Sequence, residues 1–280
     1  MSREAASEKK GMTASRADLL QARLARAFHQ ISRYYFQLEV HGSEHVPDSR
    51  DGSYMLAMNH TAVFGLEAYL LGTHLKSRDP RLDLRTLVWP GFLNGPFGAW
   101  FRAIGCAPAS VDQGVELLAG GSSVLIMPEG IDATDVRNRF NPFHRGYLRI
   151  LQRQPVPLIP VGFWGVDQAI PWWVSHNQWL AERIMKSIKP DFDFVPIPKP
   201  LAPRPVKVVL CIGEPIHLEY EDLNTEDGIN ACNERVRSRI EALVTEAELR
   251  RKESVNANRL NCLWHRLIDG KVSLLSPPKP

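Results

Sequence analysis

Apolar positions along this chain follow two rhythms. Short, nearly continuous apolar runs occupy Leu38–Val40, Tyr54–Met58, Leu84–Trp89, Ser123–Met127, Leu158–Trp164 and Val206–Ile212, and each reads as a strand. Between them, three- and four-residue spacings predict helices over Leu66–His74, Asn94–Ala103, Val111–Leu118 and His144–Gln152. Ser110-Val111-Asp112-Gln113 has the form of a capping box for the third of these. Alternation of strands with helices predicts an α/β fold: a twisted, mostly parallel or mixed sheet flanked by helices. Six prolines from Pro190 to Pro205 predict an extended crossing without regular structure. Ile229, Val236, Ile240, Leu243 and Ala247 mark a last amphipathic helix, with Arg250-Arg251-Lys252 as its charged exit.

Ahead of the first strand, Leu20, Leu24, Phe28, Ile31 and Tyr35 recur at helical spacing, while Arg16, Arg23, Arg26 and Arg33 fall largely off that stripe. A basic amphipathic helix of this kind lies on anionic lipid, or packs on the domain with a solvated basic face. The tryptophans from Trp164 to Trp179 are open to the same two readings, an interfacial belt or core packing. The chain divides into a polar, disordered tail over 1–14, the amphipathic helix over 15–36, a main domain over 37–252 and a tail over 253–280. At 280 residues, 44% hydrophobic and 23% charged, it has the composition of a globular protein. A net charge of +3 without a basic patch points away from nucleic acid. Cys106, Cys211, Cys232 and Cys262 are scattered without metal-ligand spacing, which predicts reduced thiols in the cytoplasm and no metal. MSREAASEKKGM lacks an apolar signal core, and no apolar stretch is long enough to span a bilayer, so the protein is expected in solution or on a membrane face.

Four segments carry the candidate chemistry. Asn59-His60-Thr61-Ala62 leaves the strand ending at Met58, and Gly105-Cys106-Ala107-Pro108-Ala109-Ser110 follows. Met127-Pro128-Glu129-Gly130 leaves the strand ending near Ile126, and Val156-Pro157-Leu158-Ile159-Pro160-Val161-Gly162 completes the series. A histidine and an acidic turn at two strand exits bring a base and polar anchors to one end of a sheet, where open α/β sheets bind ligands. His60 is the best general base in the chain, since imidazole titrates near the working pH. No GxSxG elbow, phosphate-binding GxxxxGK[ST] loop, HExxH or helix-opening GxGxxG is present.

In order, spacing and content these segments resemble the glycerolipid acyltransferase superfamily, which includes the lysophosphatidic acid acyltransferases; the resemblance runs from about Val40 to Glu248. It implies a lipid O-acyltransferase that moves a fatty acyl group from acyl-CoA or acyl carrier protein to a hydroxyl of a glycerolipid or other lipid acceptor. His60 would be the base, Asn59, Pro128, Glu129 and Gly130 would line the acceptor site, and no bound cofactor would be needed. Work at the inner face of a membrane is implied; the oligomeric state is left open. Two departures matter. The main branch of the family has an aspartate five residues after the histidine, where this chain has Gly65; a branch nearer to diacylglycerol acyltransferase-like proteins has its acid seven residues on, at Glu67. In a continuous helix seven residues rise ~10 Å, too far for a hydrogen bond. Gly65 must therefore mark a turn, with a helix starting about Leu66, if Glu67 is to reach His60. On the residues alone Glu67 is also a favourable first-turn charge, and Glu129 a carboxylate tying the backbone amides of its own turn. The arginines with which family members grip phosphate correspond to Val111 and Asp132, so the acceptor is not a simple lysophosphatidate; Arg137, Arg139 and Arg145 are substitutes or surface charges. A rival reading is an acyltransferase-like protein that has lost catalysis and binds lipid or a partner.

Overall fold

A computed structural model describes residues 27–30, 32–60, 65–95, 98–130, 140–169, 172–175, 179, 195–198, 205–216, 218 and 223–257. Seven strands form one sheet: β1 (Glu39–His41), β2 (Met55–Met58), β3 (Leu84–Val88), β4 (Cys106–Pro108), β5 (Ser123–Ile126), β6 (Leu158–Trp164) and β9 (Val209–Ile212). Their spatial order is β1-β9-β6-β2-β5-β3-β4. The block β6-β2-β5-β3-β4 is parallel throughout, and β9 joins β6 antiparallel while pairing parallel with β1. The sheet is thus mixed, with the apolar runs Met55–Met58 and Ser123–Ile126 at its fully buried centre.

Period-two alternation sends the central side chains to two cores. Tyr54, Leu56 and Met58 face α1 (Leu66–Arg78), which contributes Leu70, Leu71 and Leu75. Met55 and Ala57 face the other way, toward α4 (Val111–Ala119), α5 (Gly146–Arg153) and α7 (Glu226–Ala257). Ser110 caps α4 as its spacing predicts, its Oγ accepting from the Gln113 N–H at 3.1 Å. α7 crosses β6 at Gly162, where a Cβ would lie 2.4 Å from the Leu243 and Val244 backbone.

The path of the chain matters for function. β2 leads into α1 on one face and on to β3; β5 lies between those strands, and its chain proceeds through α5 on the opposite face to β6. The neighbours β2 and β5 therefore send their continuations to opposite faces and in opposite directions. Such a switch point leaves a crevice at the carboxyl ends of the two strands.

Several expectations need correction. The helix expected over Asn94–Ala103 is two short ones, α2 (Pro90–Asn94) and α3 (Gly98–Ala103), because Gly95-Pro96 cannot continue a helix. Cys106–Pro108, read only as a motif, is an edge strand. Regular structure does exist within the proline-rich crossing: β8 (Val195–Pro198) pairs antiparallel with β7 (Trp172–Ser175) in a separate ribbon. Pro196 and Pro198 sit two apart in the register, and in a two-stranded ribbon every strand is an edge, where proline is tolerated. Arg250-Arg251-Lys252 is no exit either: α7 runs on to Ala257, and Arg251 is buried, its guanidinium bonded to the Lys207 carbonyl and Gln168. A four-residue helix, α6 (Val166–Ala169), follows β6. Residues 27–30 and 32–35 are helical. Arg16, Arg23, Arg26, the 1–14 tail and residues 258–280 lie outside the described residues, as do Asp132, Arg137 and Arg139.

Candidate active site

The site begins where β2 ends. Asn59 is 2% exposed, and its side-chain amide continues the β2–β6 ladder one step past Met58. Its Oδ1 accepts from the Phe163 N–H at 2.7 Å and its Nδ2 donates to the Phe163 carbonyl at 3.1 Å. This pins the strand exit, so the next residue, His60, emerges at the crevice in a fixed place. Asn59 was expected at the acceptor; both ends of its amide instead meet β6.

Gly65 has a left-handed backbone (φ 64°) and is the N-cap of α1, which starts at Leu66. That turn brings the first turn of α1 back over the histidine. Glu67 is fully buried, and its Oε1 lies 2.5 Å from His60 Nδ1. His60 is more open, its side chain 15% exposed against 0% for Glu67. The geometric condition set by a seven-residue spacing is met: a turn at Gly65, a helix from Leu66, and imidazole and carboxylate in contact.

From the neighbouring strand comes the acidic turn. Glu129 is 1% exposed and bonds main chain with both oxygens: Oε1 accepts from the His60 N–H at 3.0 Å, and Oε2 from the Asn141 N–H at 2.8 Å. Gly130 closes the turn with φ 59° and donates to the Met127 carbonyl. The Pro128 carbonyl accepts from the His144 N–H at 2.8 Å. A Cβ at Gly130 would come within 3.1 Å of the His144 ring. Asn141 and Phe163 were not foreseen: Phe163 acts through its backbone, and Asn141, which meets Glu129 with backbone and side chain, lies twelve residues from it in no recognised motif.

Burial alone would pull the His60 pKa down, but the charge and hydrogen bond of Glu67, with the charge of Glu129, outweigh it; the net direction is up. Burial pushes the Glu129 carboxyl up against the hydrogen bonds that favour its ionised form. Histidine paired through Nδ1 to a carboxylate keeps Nε2 as the atom that can take a proton, which is how a general base is built. Other sequence candidates lie apart. Arg145 is committed to α7, its Nη1 bonding Glu226 at 2.6 Å and Asn230 at 2.9 Å. Val111 opens α4 and lines a cleft of about 500 Å³ with Arg149, Arg153 and Ile229, a lining that includes none of His60, Glu67 and Glu129. Among the described residues no group of three or more His, Cys, Asp or Glu side chains could hold a metal.

Two comparisons with known proteins bear on this arrangement. Residues 37–164 match the family model described as Acyltransferase, a span holding β1 to β6 and every residue of the site from Asn59 to Phe163. The fold is similar to that of the 1-acyl-sn-glycerophosphate (LPA) acyltransferase PlsC from Thermotoga maritima, a crystal structure. That likeness has a TM-score of 0.55 at 18% sequence identity and covers 82% of this chain and 81% of the other. The first comparison thus covers the part of the chain that carries the site, and the second shows a shared fold.

Proposed function

We propose that this protein is a lipid O-acyltransferase, transferring a fatty acyl group from acyl-CoA or acyl carrier protein to a hydroxyl of a lipid acceptor. The observation that carries the reading is the His60–Glu67 contact at the carboxyl edge of the sheet, inside the segment that matches the acyltransferase family model. In the proposed reaction His60 Nε2 takes the acceptor hydroxyl proton as its oxygen attacks the thioester carbonyl. Glu67 holds the Nδ1–H, selects the tautomer and stabilises the imidazolium. The tetrahedral intermediate then expels the thiolate, which leaves as thiol after taking the proton back. A thioester is activated enough that no covalent enzyme intermediate is required.

The acceptor we propose is a neutral alcohol such as a diacylglycerol, not a lysophosphatidate. Val111 and Asp132 stand where the resemblance places the arginines that grip phosphate, so the fork-shaped partners a phosphate needs are missing from those positions. The reaction would take place at the inner face of a membrane; among the described residues no helix is long and apolar enough to cross one. The test is release of free thiol from a long-chain acyl-CoA, or from acyl carrier protein, with a panel of lipid alcohols. His60→Gln should lower the rate by ~10²–10⁴-fold, the usual contribution of a general base. Full activity in that variant, or no transfer by the unsubstituted protein to any lipid alcohol, would sink the proposal in favour of a lipid- or partner-binding role.

A further inference from the structure

Glu129 sits in the Pro-Glu-Gly turn where the family resemblance implies an acceptor contact, yet its surroundings suit a different task. It is 1% exposed, and its two oxygens face two main-chain donors from separate parts of the chain, His60 at 3.0 Å and Asn141 at 2.8 Å. The turn itself is tied down on both sides, by Gly130 N–H to the Met127 carbonyl and by His144 N–H to the Pro128 carbonyl. A carboxylate so enclosed, with each oxygen already accepting a main-chain bond, is poorly placed to meet an acceptor hydroxyl. We infer that Glu129 is a positioning residue, holding the main chain of the base and placing fixed negative charge behind its ring, and that it does not touch the acceptor.

Three anchors then converge on two consecutive residues. Asn59 is clamped to β6, the His60 main chain to the β5 turn, and the His60 ring to α1. Each comes from a different element, so together they fix the strand exit in position and the imidazole in orientation. Glu129 adds a second effect: its charge helps raise the basicity of His60. An imidazole that must become imidazolium in the transition state gains from a carboxylate that is already in place and needs no rearrangement.

The kinetic part of this inference rests on the transferase reading; the geometric part does not. Glu129→Gln keeps the shape but turns one acceptor oxygen into an NH₂ group facing an N–H donor, so one of the two bonds is lost. Displacing a catalytic group by ~1 Å costs ~10²-fold. The variant should therefore lose about that much in kcat, with the KM for the acceptor within about two-fold. Imidazole NMR of the full chain without substrate should show His60 titrating at lower pH in the variant. A raised acceptor KM with kcat kept, or an unchanged His60 titration, overturns the positioning role. Should Glu129→Gln fail to fold, the unsubstituted protein still decides: the His60 and Asn141 amide resonances should move together as one carboxyl titrates, and amides that move independently refute the inference. If no acyl transfer is found at all, the two NMR arms keep their meaning, so the failure of the transferase reading is distinguishable from the failure of this one.

Discussion

Removing His60 has a consequence that a loop histidine would not ordinarily carry. Its Nδ1 lies 2.5 Å from a carboxylate whose residue is wholly enclosed. His60→Ala therefore takes from buried Glu67 the imidazole that pairs with it. Breaking one side of a buried ion pair typically costs ~3–5 kcal/mol, whereas replacing both members is often neutral or better. Against a total stability of about 5–15 kcal/mol this is a large fraction. At ~2–4 °C per kcal/mol for a domain of this general size, His60→Ala should melt roughly 6–20 °C below the parent. The double variant His60→Ala/Glu67→Gln should recover much of that loss, because a neutral amide replaces the stranded charge. Urea and thermal unfolding of the four proteins in the cycle, followed by circular dichroism at neutral pH, measure the coupling directly. If the double variant is no more stable than His60→Ala, the reasoning fails, and the pair is a solvated contact without energetic weight. The result also governs how activity data are read, since a dead His60→Ala enzyme means little until its folded fraction is known.

Other expectations follow from the same geometry. Because the His60 pKa is held above its ordinary value of 6.5, the ring is protonated and idle as a base up to a higher pH; kcat/KM should rise with pH through a midpoint above that value, and Glu67→Gln should move the midpoint down, the opposite movement refuting the pairing. Asn59→Ala would leave the buried N–H and C=O of Phe163 without their partners, each costing ~1–3 kcal/mol; a denaturation midpoint unchanged from the parent would show that water restores them. Gly65→Ala meets no atom within 4 Å, so only the left-handed φ of 64° opposes it, and a loss of ~1–2 kcal/mol in unfolding experiments is expected. His74 has its pKa lowered to about 4 by burial and by the charges of His29, Arg78 and Arg33, and its ring lies 5.0 Å from that of His29. A histidine kept neutral contributes its full stability above 6.5 and loses it as pH falls toward 4, so hydrogen exchange at residues 27–30, which carry its ring partner His29, should speed up over that range in the parent and respond less in His74→Gln, where only His29, itself lowered by burial and Arg33, still titrates.

Periodicity carried the sheet and most helices because a residue's burial here follows its place in the pleat: Tyr54, Leu56 and Met58 enter one core, Met55 and Ala57 the other. Where periodicity misled, a local rule yielded to pairing. Prolines 196 and 198 were read as barring a strand, but two apart in a two-stranded ribbon they occupy an edge, where proline is tolerated. Arg251 was read as part of a charged helix exit, and it is buried, satisfied by the Lys207 carbonyl and the Gln168 amide oxygen. At the site, the seven-residue interval could be converted into a requirement on Gly65, since helix rise is a fixed quantity. Glu129 was legible as important and not as a main-chain anchor, because it holds the backbone amides of His60 and Asn141, and a backbone amide looks the same in every residue.

One feature of the layout has consequences for how such a site changes over time. The interacting pair lies within a single βα unit, β2 and the start of α1, whose members are seven positions apart. Its supports come from 69 and 104 positions away, through Glu129 and Phe163. The pair and its bracing thus lie in stretches of the chain far apart from one another. Because the braces grip main chain, a change in the histidine–acid interval confined to the stretch around Gly65 would leave their bonding groups unaltered. The same separation makes the unit transplantable in principle: a βα segment with a new histidine–acid interval would work in any related sheet that still offers a carboxylate to the amide of its histidine.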